Sequence, residues 1–392
     1  MKKIISIVSF MAVLCMSCVP ALAETNAAQT LENALKGVKA AFEPAFSLPN
    51  DDPNKQTPDM WYLYPLCATD NIENEDYAFL KPTYTIANPT EAASNTLMKS
   101  VLSDILSSKK PNEAQVKALA SKQGENGSFQ NTYGYDSATE TAYAAIALEL
   151  AGDSGIKADY NKDKLLSYLG SAQKPDGGFN DYGAEGNVDT TGMVMSALNI
   201  IGGSDAAAIM KKCVAYLRTT LAADGSLVGK GQYDSANSCS QSMGIIGLIA
   251  AGEDLENGEF SKVDDKLFSY VADNGCFWYD EASMSGQGWY AAPDMFSTYQ
   301  GMMALSDIKT GGLFKALSDK LKAQNAPVTT TATVSAATTT AALDTATDIP
   351  SDPRKDNVNT GVLGMHPAIL ITIGMAAVVI ASMTLWTVCR RR

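Results

Sequence analysis

Between residues 112 and 308, apolar and polar positions fall into one pattern written four times. The most regular part is a turn: "QGENGSF" (123–129), "QKPDGGF" (173–179), "LAADGSL" (221–227) and "VADNGCF" (271–277). Each carries Asn-Gly or Asp-Gly at its centre, the pair that most readily supplies the positive φ of a tight turn. The turn glycines are Gly127, Gly177, Gly225 and Gly275, and each turn ends on an apolar residue, Phe129, Phe179, Leu227 or Phe277. In front of the turns lie amphipathic stretches such as "NKDKLLSYLGSAQ" and "AAAIMKKCVAYLRTTL", which predict helices with one wet face. Behind them lie runs that are apolar almost all round: "ETAYAAIALELAG", "TTGMVMSALNIIG", "SQSMGIIGLIAAG" and "STYQGMMALSDI". A helix of that composition must be buried, and its Ala, Gly and Ser let neighbouring helices approach closely. The repeating unit is therefore outer helix, turn, inner helix, in about 50 residues, a period that signals a repeat architecture.

The pattern also predicts helices near 27–43, 57–69, 92–107 and 311–323, although the first 110 residues fit the repeat poorly. With four outer and four inner helices these make twelve. Twelve alternating helices closed in a ring give an all-α fold, an α/α toroid of six helical hairpins, spanning residues 24–323.

Composition changes at both ends. Residues 1–23, "MKK" followed by an apolar run and "ALA", read as a secretory signal peptide. Residues 324–356 are rich in Thr and Ala, with almost no large apolar side chains, and predict a disordered stalk. Residues 362–389 contain no Asp, Glu, Lys or Arg and suffice for a membrane span, which needs about 20 apolar residues. The Arg390–Arg392 tail would lie in the cytoplasm, leaving the body outside. Just before the span, "NVNTG" (357–361) resembles the sorting signals of Gram-positive wall proteins, in which a sortase cuts between Thr and Gly, here Thr360 and Gly361. Val358 departs from the commoner proline. The expected address is the cell surface, through a retained single-pass anchor or through peptidoglycan after sortase processing.

Charge and chemistry narrow the function. The chain has 43 acidic and 30 basic side chains, net -13, which opposes a nucleic-acid partner. Its one histidine, His366, lies beside the C-terminal apolar run, so the body can hold neither histidine catalysis nor a histidine-containing metal site. No metal or cofactor is expected. Cys67, Cys213, Cys239 and Cys276 remain in the exported body, and both disulfides and free buried thiols are open to them.

"QKPDGGF" followed by "VDTTGMVMSAL" resembles the repeat of the squalene-cyclase and prenyltransferase-like α/α toroids. Related toroids form the larger domain of the cobalamin carriers intrinsic factor and transcobalamin, so a corrinoid is one candidate ligand. The cyclase proton-donating motif D-x-D-D-T would fall on Asn187, Val188, Asp189, Thr190 and Thr191, where only the middle acid survives. The prenyltransferase zinc set needs a histidine that the body lacks. The resemblance implies the architecture more strongly than an activity. Asp189 is expected to cap the inner helix that follows it rather than to donate a proton.

In such a ring, the loops before the inner helices gather at one mouth. The candidate ligand-binding residues there are Tyr135, Asp136, Tyr182, Asp189, Tyr233, Trp278, Tyr279, Trp289, Tyr290 and Asp294. The loop before the fourth inner helix is seven residues longer than its counterparts and holds two Trp and two Tyr. Converging helix N-termini would favour polar or negative ligand groups. The expected function is a non-catalytic toroid binding a small molecule, a glycan or a protein outside the cell. An exported enzyme acting through Asp189 or Asp294, or an adhesive head, is the alternative.

Overall fold

The computed structural model describes the backbone of residues 2–229 and 235–326, with side chains from Glu24 onward. The chain divides into Met1–Val328 and Thr329–Arg392. The predicted sorting signal at Thr360 and Gly361 and the predicted span 362–389 lie outside the described residues. Among those described, no helix is long and apolar enough to cross a membrane.

The first unit is mainly helical, with one short antiparallel ladder between Phe129–Gln130 and Asp136–Ser137. Its elements begin with α1 (Lys2–Phe46), α2 (Leu63–Ala68), α3 (Ser94–Leu106), α4 (Glu113–Ala120) and α5 (Ala138–Asp153). They continue with α6 (Lys162–Ala172), α7 (Val188–Ile201), α8 (Gly203–Thr220), α9 (Ser238–Ala251) and α10 (Val263–Phe268). The last are the four-residue α11 (Glu281–Met284), α12 (Met295–Thr310) and α13 (Leu313–Asn325). Helices α2, α3, α5, α7, α9 and α12 pack each on the next, and α12 returns to α2, so six inner helices close a ring. Outside them, α4 packs on α5, α6 on α5, α8 on α9, α10 on α9 and α1 on α12. The fold is the expected α/α toroid.

Each turn glycine does two jobs. Gly127, Gly177, Gly225 and Gly275 have φ between 84° and 93°. A Cβ on them would also lie 2.2, 2.6, 2.2 and 2.6 Å from the backbone oxygens of Lys164, Lys212, Lys262 and Asn33. Every turn thus presses on the outer helix of the next unit. The fourth presses on α1, which closes the ring on its outside.

The acid or amide of each turn accepts from the amide two residues on: Asn126 from Ser128 (3.1 Å), Asp176 from Gly178 (3.0 Å), Asp224 from Ser226 (3.1 Å) and Asn274 from Cys276 (3.0 Å). The closing apolar residue then donates its amide to the fourth position of the following inner helix. Phe129 and Phe179 reach Thr141 and Thr191 at 2.9 Å, Leu227 reaches Gln241 at 2.9 Å and Phe277 reaches Thr298 at 3.1 Å.

One predicted helix takes another place. The segment predicted at 311–323 is α13, and it does not stand in the ring wall. It packs on α5, α7 and α12 at their C-terminal ends, with Ser318 donating to Asp153 at 2.6 Å and Phe314 edge-on to Tyr64 at 4.9 Å. Its amphipathic face explains the move: Leu313, Phe314 and Leu317 are buried while Lys315, Asp319 and Lys322 face water. A helix with one apolar stripe can close the end of a barrel as well as it can line the outside. The sixth outer place falls to the short 3-10 segment Glu75–Leu80, which packs on α1.

All four cysteines of the body are free thiols, three of them buried.

Candidate functional site

The four inner helices of the repeats each have their start fixed by a side chain, whereas α2 and α3 have no side-chain cap. Ser137, Asn187, Asn237 and Asp294 are the N-caps of α5, α7, α9 and α12. They accept from the amides of Glu140 (3.0 Å), Thr190 (2.7 Å), Ser240 (2.8 Å) and Ser297 (2.9 Å). On α5 a neighbouring loop adds to this, because Asp181 accepts from the amides of Ala138 (2.6 Å) and Thr139 (3.3 Å) and from Ser137 Oγ (2.8 Å). Much of the donor capacity expected to greet a negative ligand is thus spent inside the protein.

Asp189 is not the cap. Asn187 holds that place, and Asp189 is the second residue of α7. Its carboxylate accepts from Ser240 Oγ of α9 at 2.7 Å, a bond across two inner helices. Burial, partly offset by that bond, raises the pKa of the carboxyl above the ordinary aspartate range. Asp294, the other proposed acid, is the N-cap of α12.

The predicted mouth residues separate into two groups. On one side the long loop folds over the start of α9, with Tyr279 O accepting from Ser238 N at 2.8 Å. Tyr279 and Tyr290 pair their rings at 5.4 Å, and Trp278 beside them is half-buried. Burial pushes the Tyr279 hydroxyl up to about 12, with Cys239 and Asp189 adding to the shift. The other group stands in solvent: Tyr135 is 70% exposed, Tyr182 84% and Trp289 93%. Asp136 accepts from Asn126 on the same surface at 2.8 Å. Tyr233 lies outside the described residues.

Beneath the mouth is a cavity of about 220 Å³ in the lumen of the ring. Its wall carries Trp61, Tyr143, Phe296 and Tyr299 with Met193, Met243 and Met303, and a polar flank of Asp59, Asn95, Lys99, Thr139, Glu140 and Gln300. Trp61 and Tyr143 are paired at 4.6 Å, and Phe296 and Tyr299 at 5.2 Å. Lys99 is committed to Asp59 at 2.7 Å. Glu140 is 6% exposed, and one of its oxygens accepts from Asn95 at 3.2 Å while the other, Oε1, has no partner. Gln300 is 3% exposed, and its Oε1 is likewise without a partner. Burial raises the Glu140 carboxyl above the usual glutamate range.

None of these lumen residues was among the sequence candidates. Part of the signal was present. Thr139, Asp189, Cys239 and Phe296 share one alignment column, and the residue four later, on the same helix face, is Tyr143, Met193, Met243 or Gln300. Following that face inward leads to the lumen. Asp59, Trp61 and Lys99 come from the irregular N-terminal third, where no repeat marks them.

Residues 93–254 match the prenyltransferase alpha-alpha toroid domain family. The body is an α/α toroid, and residues 93–254 are the part of it that resembles this domain. No curated protein matches it by sequence. Among solved structures, a type II terpene cyclase from Scytonema is similar over 74% of this chain and 98% of its own, at 13% identity and TM-score 0.50. The protein geranylgeranyltransferase-I of Candida albicans, complexed with GGPP, covers the same shares at 13% identity and TM-score 0.51. At such identities the likeness speaks to the toroid fold alone.

Proposed function

We propose that the toroid is a binding protein that takes a small ligand into its lumen from the mouth. The observation that carries this reading is the pair of buried oxygens, Glu140 Oε1 and Gln300 Oε1, unpartnered on the wall of one cavity. A buried polar atom without a partner costs about 1–3 kcal/mol, and a ligand that supplies the missing bonds recovers it. The aromatic and thioether wall supplies apolar contact. At about 220 Å³ the space falls below the usual range for drug-sized ligands, about 300–1,000 Å³, so the lumen suits a small molecule and is too small for a corrinoid or a long polyprenyl chain.

The exposed Tyr135, Tyr182 and Trp289 form the approach and offer flat faces to a glycan or a protein surface. The proposed setting is the outer face of the cell, with the body held through the C-terminal apolar segment. That placement is supported by the uncharged run before Arg390.

Native mass spectrometry of the purified full-length protein with a graded set of small organic compounds tests this reading. Retention of a small ligand by the wild type and its loss in Thr139→Trp, which fills the lumen from its rim, is the expected result. Equal retention by both proteins would move the site elsewhere.

A second reading, an exported enzyme, has one observation in its favour: the half-buried Asp189 and the buried Glu140 are acids that hold their protons more tightly than usual. An enzyme of that kind would lose turnover in Asp189→Asn while melting at an unchanged temperature.

A further inference from the structure

The chemistry of the lumen narrows its ligand. Both orphan oxygens are acceptors, one amide carbonyl and one carboxylate, so the missing partner brings hydrogen-bond donors or positive charge. The cations nearby do not serve. Lys99 is bound to Asp59 at 2.7 Å, and Glu140 receives only the neutral Asn95 amide at 3.2 Å. Counting Asp59, Lys99 and Glu140 as ionised, the polar flank carries one uncompensated negative charge.

The remaining wall agrees in sign. Trp61 and Tyr143 stand as a pair on one side and Tyr299 with Phe296 as another, and aromatic faces attract cations at about 0.5–2 kcal/mol each. A neutral ligand would satisfy the oxygens and draw less from the ring quadrupoles than a cation does. An anion would meet an uncompensated carboxylate.

We infer that the lumen selects a small organic cation of the alkylammonium type, seated between the Glu140 carboxylate, the Gln300 carbonyl and the rings of Trp61, Tyr143 and Tyr299. This rests on the reading of the lumen as the ligand site and adds the class of ligand.

The test is isothermal titration calorimetry on the full-length protein with matched probes. Choline is compared with its neutral isostere 3,3-dimethylbutan-1-ol, and butylamine with butan-1-ol. The expected result is that one or both cations bind at least ten-fold more tightly than the neutral partner. In Glu140→Gln, which keeps the shape and can still accept from Asn95, that preference should fall to near unity. Tyr299→Leu, on a different wall, should weaken the cation more than the alcohol and stands as an independent check if the first variant fails to fold.

Equal or stronger binding of the alcohols would overturn the cation assignment and leave the lumen site standing. Absence of binding by all four probes would overturn both.

Discussion

At the residue scale, the stretch "NVDTTG" divides its labour in a way that composition hides. Asn187 caps α7, Thr191 receives the turn, and Asp189 reaches across to α9. An acid before an apolar run is a common cap, which is why Asp189 is the expected one, and Asn187 two residues earlier is an equally good one. Asn187→Ala should therefore lower unfolding free energy by about 1 kcal/mol in urea titration, whereas Ser240→Ala should act mainly by freeing the Asp189 carboxylate.

A fully enclosed acid elsewhere, Asp307, gives a pH signature. Asp307 accepts from Tyr64 Oη at 2.6 Å and from Leu313 N at 2.8 Å, and burial pushes its pKa up to about 6 from 3.8. A folded pKa above the unfolded one means stability that is complete below about pH 4 and lost as pH rises through about 6. Wild type should lose about 2–3 kcal/mol relative to Asp307→Asn between those values. Parallel stability curves for the two proteins across that range would refute the assignment.

At the element scale, close approach decides which substitutions the ring tolerates. Gly192 of α7 faces the backbone of α9, and a Cβ there would sit 1.9 Å from Met243 O. Neither helix can yield without moving its neighbours, so Gly192→Ala should destabilise by about 1–3 kcal/mol or more, measured by thermal melting. Such contacts could be foreseen only as a preference for small residues in the inner helices. Which glycine meets which carbonyl depends on register.

The third unit shows a substitution that the repeat pattern alone makes look like a defect. Units one and two open their turns with Gln123 and Gln173, whose amides donate to Gly127 O (3.2 Å) and Gly177 O (2.9 Å), and to Asn161 O and Ile209 O on the next unit. Unit three has Leu221 there. Its missing bonds come from Gln241, standing where the other units have Thr, which donates to Gly225 O (3.0 Å) and Val263 O (2.7 Å) while accepting from Leu227 N. Gln241→Thr should restore the look of the repeat and cost about 2 kcal/mol by chemical denaturation, because two buried carbonyls lose their donor.

At the scale of the whole molecule, the ring was legible wherever its turns were. Four copies of one motif carry enough Asx-Gly punctuation to fix the hairpins, and burial of the inner helices follows from their composition. The first 110 residues gave helices without roles, since α1, α2 and α3 enter the ring with no repeated turn to announce them. The sequence candidates lie in the mouth loops, and the lumen we propose as the ligand site lies one layer further in. Aromatic loops are visible in a sequence, whereas a lumen exists only after six helices have met.

Ring closure itself has a consequence in time. The helix that fills the last outer position, α1, comes first in the chain, and Asn33 and Gly37 lie against Asn274 and Gly275 of the fourth turn. A chain made or exported from its N-terminus therefore presents Ala27, Leu31, Ala34 and Val38, all fully buried in the finished protein, long before their partners exist. Successive middle hairpins can stack as they emerge, each on its predecessor. The first helix has to wait for the last turn, and until it docks the protein is an open arc with an apolar edge at either end.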